Sequence, residues 1–515
     1  MDRISVLSRR RRVKNLETWT LYAILAEAFF LALWPTAASA AVVFGVMTWF
    51  LRSRIDTHYK TRALPFDVPI AIFLLIGAAS VLLSSARSFA LIYNYCSLVG
   101  VYGLTYFIVG QTIRTPAQIK QVAQALGAAA ILVMLWGFFQ FAVGVDAADV
   151  KWTDPDAFPE LRRRIFSTLE NPNVLAGYLD VFICLALGLL AKVERTSQKI
   201  ILLAAIVLLC ACLAMTYSRG AFLSIAVVFV VFGVLKDFRV LILFAAVTGF
   251  LAVTDEAFIG RIFSAFTLGD TSEGVRVGIW VSTVAMIADH PFAGIGWGAF
   301  QFVYPQYNYY IADPNIVIYH AHNIYLNYAA EIGIVGALAF FWYFFGTMFT
   351  ALGAGEIFGG EENFFERLQK IFAGNSVKKY PAEIFATANE VLTDFANSVV
   401  NLFSRQKKIS KPQKNSGAHL ELVHHDEMKW HRRKIFSADD ETEDDDEINK
   451  PPANFGDVMK IDDRKFLDGF KLGIGLAFLS MALNGFTDDL LFNIPSSMLM
   501  WQLGALGAAI EKITD

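Results

Sequence analysis

The chain has 515 residues, of which 55% are hydrophobic and only 18% charged, with a mean hydropathy of +0.47. Soluble globular proteins carry about a quarter charged residues, so this composition excludes an ordinary soluble enzyme. The net charge of −3 says little, because in a membrane protein charge matters by side rather than by sum, and no nucleic-acid partner is expected.

Much of the charge sits in one block, 355–465. Outside it, apolar runs of about 15 to 25 residues follow one another, the length a helix needs to cross a bilayer. The expected fold class is therefore all-α: a polytopic integral membrane protein with about twelve transmembrane helices and one long outer loop carrying amphipathic helices. The opening "MDRISVLSRRRRVKN" and the "ASA" at Ala38 to Ala40 have the form of a secretory leader. A retained first helix is preferred, because a second apolar run follows at once and closes a hairpin.

In chain order the predicted spans are 19–34, 36–51, 64–83, 90–110, 122–143, 173–191, 200–217, 220–235, 239–254, 322–352, 466–486 and 490–511. Arg9 to Arg12 precede the first span, and basic loops follow the second ("RSRIDTHYKTR"), fourth ("QTIRTPAQIKQ"), sixth ("AKVERTSQK") and eighth ("KDFR"). By the positive-inside rule these loops and both termini are cytoplasmic. The alternate loops are then outside: 84–89, 144–172, the turn at Tyr217 to Gly220, 255–321 and 487–489. Cys96, Cys184, Cys210 and Cys212 all lie inside apolar runs, so they read as packing residues rather than a disulfide or zinc framework.

Block 355–465 follows the tenth span and is expected in the cytoplasm. Its first half has an amphipathic pattern in "AEIFATANEVLTDFANSVVNLF", suited to a membrane surface or a cytoplasmic protein partner. Its second half, "ADDETEDDDEINKPP", reads as a solvated linker. Domain organisation follows: 1–354 with spans one to ten, the insert 355–465, and 466–515 with the last two spans.

Loop 255–321 is too long for a mere connector. Val275 to Ala288 has helical periodicity, Gly294, Gly296 and Gly298 make a flexible turn, and Tyr304, Tyr307, Tyr309 and Tyr310 cluster. Singly these aromatics fit an interfacial belt; as a group they also fit a platform for sugar rings or a lipid head.

Next comes "YHAHNIYLNYAAEIGIVG". If its helix starts at His320, then His320, Asn323, Asn327 and Glu331 form one polar stripe descending into the membrane. Glu331 should then face the bundle interior. His322 falls on another face, above Ala329, Gly333 and Gly336, small residues that admit a close neighbour. Arg219 in "YSRGAF" and Arg276 in "EGVRVGIW" stand on the side the positive-inside rule disfavours. Singly they read as snorkelling side chains or ion pairs; converging, they would clamp a phosphate or pyrophosphate. Arg162, Arg163 and Arg164 add a basic cluster before "FSTLENPNVLAGYL", suited to an anionic head group or to lipid. Asp488 and Asp489 in "FTDDLLF" either pair with the arginines or offer acidic ligands.

These residues resemble the O-antigen ligase family, with its related polymerases and protein O-oligosaccharyltransferases. His322-Asn323, nine residues, then Gly333-Ile334-Val335-Gly336 match its His-Asn/Ser/Gln, nine residues, Gly-x-x-Gly pattern. "SRGAF", "NPNVLAGYL", "HPFAGIGWGAF" and an Arg shortly before "IW" are similar in kind. The resemblance covers roughly 160–350; block 355–465 departs from it. The resemblance implies transfer of a glycan from undecaprenyl diphosphate to a glycan or lipid A-core acceptor among membrane lipids, at the periplasmic face of the bacterial inner membrane. On this sequence it implies His322 as the catalytic base and Arg219 and Arg276 as the pyrophosphate holders. His320, Asn323, Glu331, Asn171, Asn173 and Asp488 are expected in supporting or substrate-binding places. No cofactor and no metal are expected. A polymerase of the same fold is the alternative, and a transporter fits less well, because the motifs lie at span ends rather than at mid-membrane.

Overall fold

The apolar runs close into helices because a backbone removed from water must satisfy its own hydrogen bonds, and in a computed structural model of the chain every regular element among the described residues is helical. The structure describes residues 3–144, 164–254, 271–309, 317–353 and 462–514. The main helices are α1 (Arg3–Phe30), α2 (Pro35–Ile55), α3 (Asp67–Leu83), α4 (Phe89–Asn94), α5 (Gly100–Thr112), α6 (Pro116–Val143), α7 (Pro172–Leu190), α8 (Thr196–Ala214), α9 (Arg219–Leu235), α10 (Arg239–Thr254), α11 (Thr271–Asp289), α12 (Ile324–Leu352), α13 (Asp463–Asn484) and α14 (Ile494–Thr514). A π-helical turn, Tyr95–Val99, joins α4 to α5. Among the described residues, seven helices are long and apolar enough to cross a membrane, and three shorter apolar ones accompany them. The architecture is that of an all-α polytopic membrane protein, and each of the twelve predicted spans coincides with helix. Residues 355–461 of the insert, with its amphipathic and acidic segments, lie outside the described residues, as do Arg162, Arg163 and Tyr310.

Helices α7 and α13 form the buried centre. Gly188 and Gly473 let their backbones touch: a Cβ on Gly473 would lie 2.7 Å from the Leu185 Cα, the small-residue contact that lipid-embedded helices use in place of a hydrophobic drive. Two buried carboxyl groups in this interior are met by a hydroxyl from a neighbouring helix. Ser480 Oγ donates to Asp180 at 3.1 Å, and Thr105 Oγ1 to Glu27 at 2.7 Å. Cys184, Cys210 and Cys212 are buried free thiols, as packing residues should be, while Cys96 is exposed.

Two sets of loops gather at opposite helix ends. In one set, Thr168 Oγ1 donates to the Ala32 carbonyl, Ile165 N–H to Met215, and Ile324 N–H to Gly485. The other set carries two lysine ion pairs, Lys120 with Asp463 and Lys465 with Glu194.

α12 differs from its sequence reading. It starts at Ile324, so His320 and His322 precede it and no continuous stripe descends from His320. Asn323 is its N-cap, its Oδ1 accepting from the N–H groups of Tyr325 and Leu326, both at 3.0 Å. An asparagine at this place satisfies donors that the first turn leaves open. The helix then breaks at Gly333 (φ 72°), which is therefore a break point and not part of a smooth packing face. The loop 290–298 docks in the break: Ile295 N–H donates to Ala330 O at 2.8 Å, Gly296 N–H to Glu331 O at 2.9 Å, and Ile334 N–H to Pro291 O at 2.8 Å. Gly294, Gly296 and Gly298 all have positive φ. The glycine turn expected to be flexible is thus a pinned strap.

Candidate active site

The turn before α12 is held from both sides. Ala321 N–H donates to Asn327 Oδ1 at 3.0 Å, and its carbonyl accepts from Trp280 Nε1 of α11 at 3.1 Å. His322 N–H donates to His320 Nδ1 at 3.2 Å. This clamps His322 at φ 49°, a left-handed conformation that costs a side-chain-bearing residue energy and clusters at functional sites. The His322 ring is left half-exposed, its Nδ1 3.1 Å from Asp488 Oδ1. A carboxylate only accepts, so Nδ1 carries the proton, and in the neutral ring Nε2 is the acceptor.

Asp488 lies in the α13–α14 loop and is well satisfied. Oδ1 also accepts from Asp489 N–H at 2.9 Å, and Oδ2 from Asn173 Nδ2 at 2.9 Å. Burial would raise its carboxyl, but the hydrogen bond from His322 and the charges of His322, Arg276 and His320 outweigh it and hold the group well below the usual carboxylate range. His320 stacks between His322 and Phe492, ring centroids 4.2 and 4.6 Å away. Burial, with His322 and Arg276 adding to it against Asp488, pushes His320 down to about 3, so it is a neutral acceptor at physiological pH. Burial and the adjacent Asp488 push Asp489 up to about 7.

Beside this dyad is a cavity of about 160 Å³, lined by Arg164, Asn173, Arg219, Arg276, Thr487 and Asp488 among others. Each arginine arrives on a different element. Arg219 is the first residue of α9, Arg276 lies in the second turn of α11, and Arg164 precedes α7. The α8–α9 turn reverses through Tyr217 at φ 53°, and Gly220 admits the α13–α14 loop, since a Cβ there would lie 2.6 Å from Thr487 Oγ1. Three guanidiniums around it give the cavity an anion-binding character.

Sequence reading missed Arg164 as a cavity residue, taking it with Arg162 and Arg163 as a diffuse basic cluster. It is buried, its Nε donating to Thr216 O at 2.8 Å and its Nη2 to Asn173 Oδ1 at 3.1 Å. The cue was its place directly before the apolar pair Ile165-Phe166. Asn171 caps α7 and accepts from Asn173 N–H at 2.8 Å. Asn323 also ties α12 to the Phe486 carbonyl at 3.1 Å. Glu331 holds the strap, its carboxyl taking backbone hydrogen bonds from Gly298 and Phe300. Of the tyrosines, Tyr304 is buried, Tyr307 donates to Asp289 at 2.8 Å and Tyr309 is exposed, so they do not form one platform.

His320, His322 and Asp488 each have one donor atom within 4.8 Å of the others, a spacing compatible with a cation. Yet Asp488 Oδ1 already takes two hydrogen bonds and the Arg276 charge acts on the same carboxylate. A guanidinium competes for that place, and the same contact makes His322 and Asp488 a His–Asp dyad. Chemically, the arrangement offers a base on Nε2 beside a fixed cationic cavity.

Residues 204–341 match the family model described as O-antigen ligase. The match takes in Arg219, Arg276 and His322, and supports O-antigen ligase or polymerase-type chemistry. Among curated proteins, no match is found.

Proposed function

Taking residues 204–341 as an O-antigen ligase segment, we propose that the protein transfers a glycan from undecaprenyl diphosphate to an acceptor of lipid A-core type, at the periplasmic face of the inner membrane. The observation that carries this reading is the convergence of Arg219 and Arg276 on one cavity beside Asp488, the partner of His322. In the transfer, an acceptor hydroxyl gives its proton to His322 Nε2 as its oxygen bonds to the anomeric carbon. The bond from that carbon to the diphosphate breaks, and the electron pair leaves with the diphosphate. Fixed guanidiniums stabilise the charge that develops there, and Asp488 stabilises the imidazolium. The twelve-span arrangement with cytoplasmic termini belongs to this reading, supported by the separation of basic loops from the site loops. In it, the insert 355–465 faces the cytoplasm and tethers a protein partner, and deleting 361–460 leaves transfer by the purified protein intact.

The test is purified protein with undecaprenyl-diphosphate glycan and lipid A-core. Glycosylated lipid A-core is expected, lost in His322→Ala and Arg276→Ala. Full transfer by both variants would remove the site assignment. Extended lipid-linked chains with no glycosylated lipid A-core would assign a polymerase instead.

A further inference from the structure

The dyad and the arginine cavity are joined by one hydrogen-bond chain that crosses three separate segments. Arg164 Nη2 donates to Asn173 Oδ1 at 3.1 Å, Asn173 Nδ2 donates to Asp488 Oδ2 at 2.9 Å, and Asp488 Oδ1 meets His322 Nδ1 at 3.1 Å. An asparagine amide can usually turn either way. Here it cannot, because a guanidinium needs an acceptor on one side and a carboxylate needs a donor on the other. Asn173 is also fixed in place: it follows Pro172 in the first turn of α7, and its N–H is taken by the Asn171 cap.

We infer that Asn173, oriented by Arg164, is a positioning residue that fixes Asp488 against His322 and ties the dyad to the cavity where the leaving group binds. The chain reaches His322 only through Asp488, so Asn173 touches neither reacting atom. The other titratable or charged groups around the dyad are the neutral His320 ring, 4.2 Å from His322, Arg276, whose charge acts on His320 and Asp488, and Asp489 beside Asp488. The chemical consequence rests on the proposed role of His322 as base; the coupling itself does not.

Asn173→Asp replaces the donor facing Asp488 with an acceptor and adds a negative charge. An extra negative charge one hydrogen bond away favours the imidazolium, so His322 should titrate about one pH unit higher than in the wild type. The full-length protein, labelled with 13C-histidine, reports this by NMR without any substrate, the His322 resonance being identified by its loss in His322→Gln. Arg164→Gln, which frees the Asn173 amide to turn and removes a cation, should move it in the same direction. In the transfer assay, Asn173→Asp should lower kcat at neutral pH by about tenfold, with the donor KM changed by less than about twofold. Should Asn173→Asp not fold, Arg164→Gln carries the NMR test. An unmoved His322 titration in a folded variant overturns the inference, as does a raised donor KM at unchanged kcat, which would make Asn173 a donor-binding residue. The NMR result stands or falls separately from the proposed transfer, whose own failure is read from activity that survives in His322→Ala.

Discussion

Asp488 Oδ1 and His322 Nδ1 lie 3.1 Å apart although 166 residues separate them in the chain. The contact decides which imidazole nitrogen is protonated and which is basic. It also keeps a buried carboxylate charged, since the imidazole and Arg276 offset the cost of its burial.

Asp488→Asn should therefore be severe. A carboxamide can still hydrogen-bond Nδ1, but it no longer stabilises the imidazolium, and it can present its NH2 so that the wrong tautomer is favoured. We expect kcat to fall by at least about a hundredfold, with donor binding largely retained. Steady-state transfer kinetics check this, and a kcat near wild type would exclude a dyad.

Two site residues should shape stability against pH in opposite directions. His320 falls from an ordinary 6.5 to about 3 in the folded chain. Between those values the unfolded chain binds a proton that the folded one refuses, so stability is lost as pH falls from about 6.5 towards 3. His320→Asn, which keeps an acceptor for His322 N–H, should flatten that acid loss in thermal unfolding.

Asp489 rises from 3.8 to about 7, and its two carboxyl oxygens make no full hydrogen bond among the described residues. The folded chain holds a proton that the unfolded one gives up, so stability falls as pH rises from about 4 to 7 and stays lower above that. Asp489→Asn should raise the unfolding temperature more at about pH 8 than at about pH 4. Equal shifts at both would mean that the carboxyl does not titrate differently in the folded state.

Gly333→Ala should destabilise the whole site end. A side chain at φ 72° is strained, and its Cβ would run into the Phe292 carbonyl of the strap. The strain alone is about 1–3 kcal/mol. Gly336→Ala is the comparison, because its Cβ would meet only movable side chains of Ile332 and Ile76, at 3.0 Å. Thermal midpoints in detergent should fall clearly for the first and little for the second.

Dialysis against EDTA should leave transfer unchanged, because fixed guanidiniums supply the positive charge that a cation would otherwise bring. Activity lost on chelation and restored by magnesium or manganese would place a cation on His320, His322 and Asp488.

Residue order alone determined where the helices lie, and it set the expectation of which loops share a side. Apolar run length and loop charge are local quantities, set by the bilayer and not by the packing partners. Arg219, Arg276 and His322 were also legible, since each stands where hydropathy and charge rules disfavour it. The tertiary structure decided what depends on long-range contact. Asn323 as a cap, and Gly333 as a break filled by the 290–298 strap, replaced a helical stripe that ideal geometry had extended too far: helical periodicity cannot register a backbone inserted from elsewhere in the chain. The entry of Arg164 into the cavity, and the pairing of His322 with Asp488 across 166 residues, likewise follow only from the packing of α7, α9, α12 and α13, because a hydrogen bond between distant segments has no local signature.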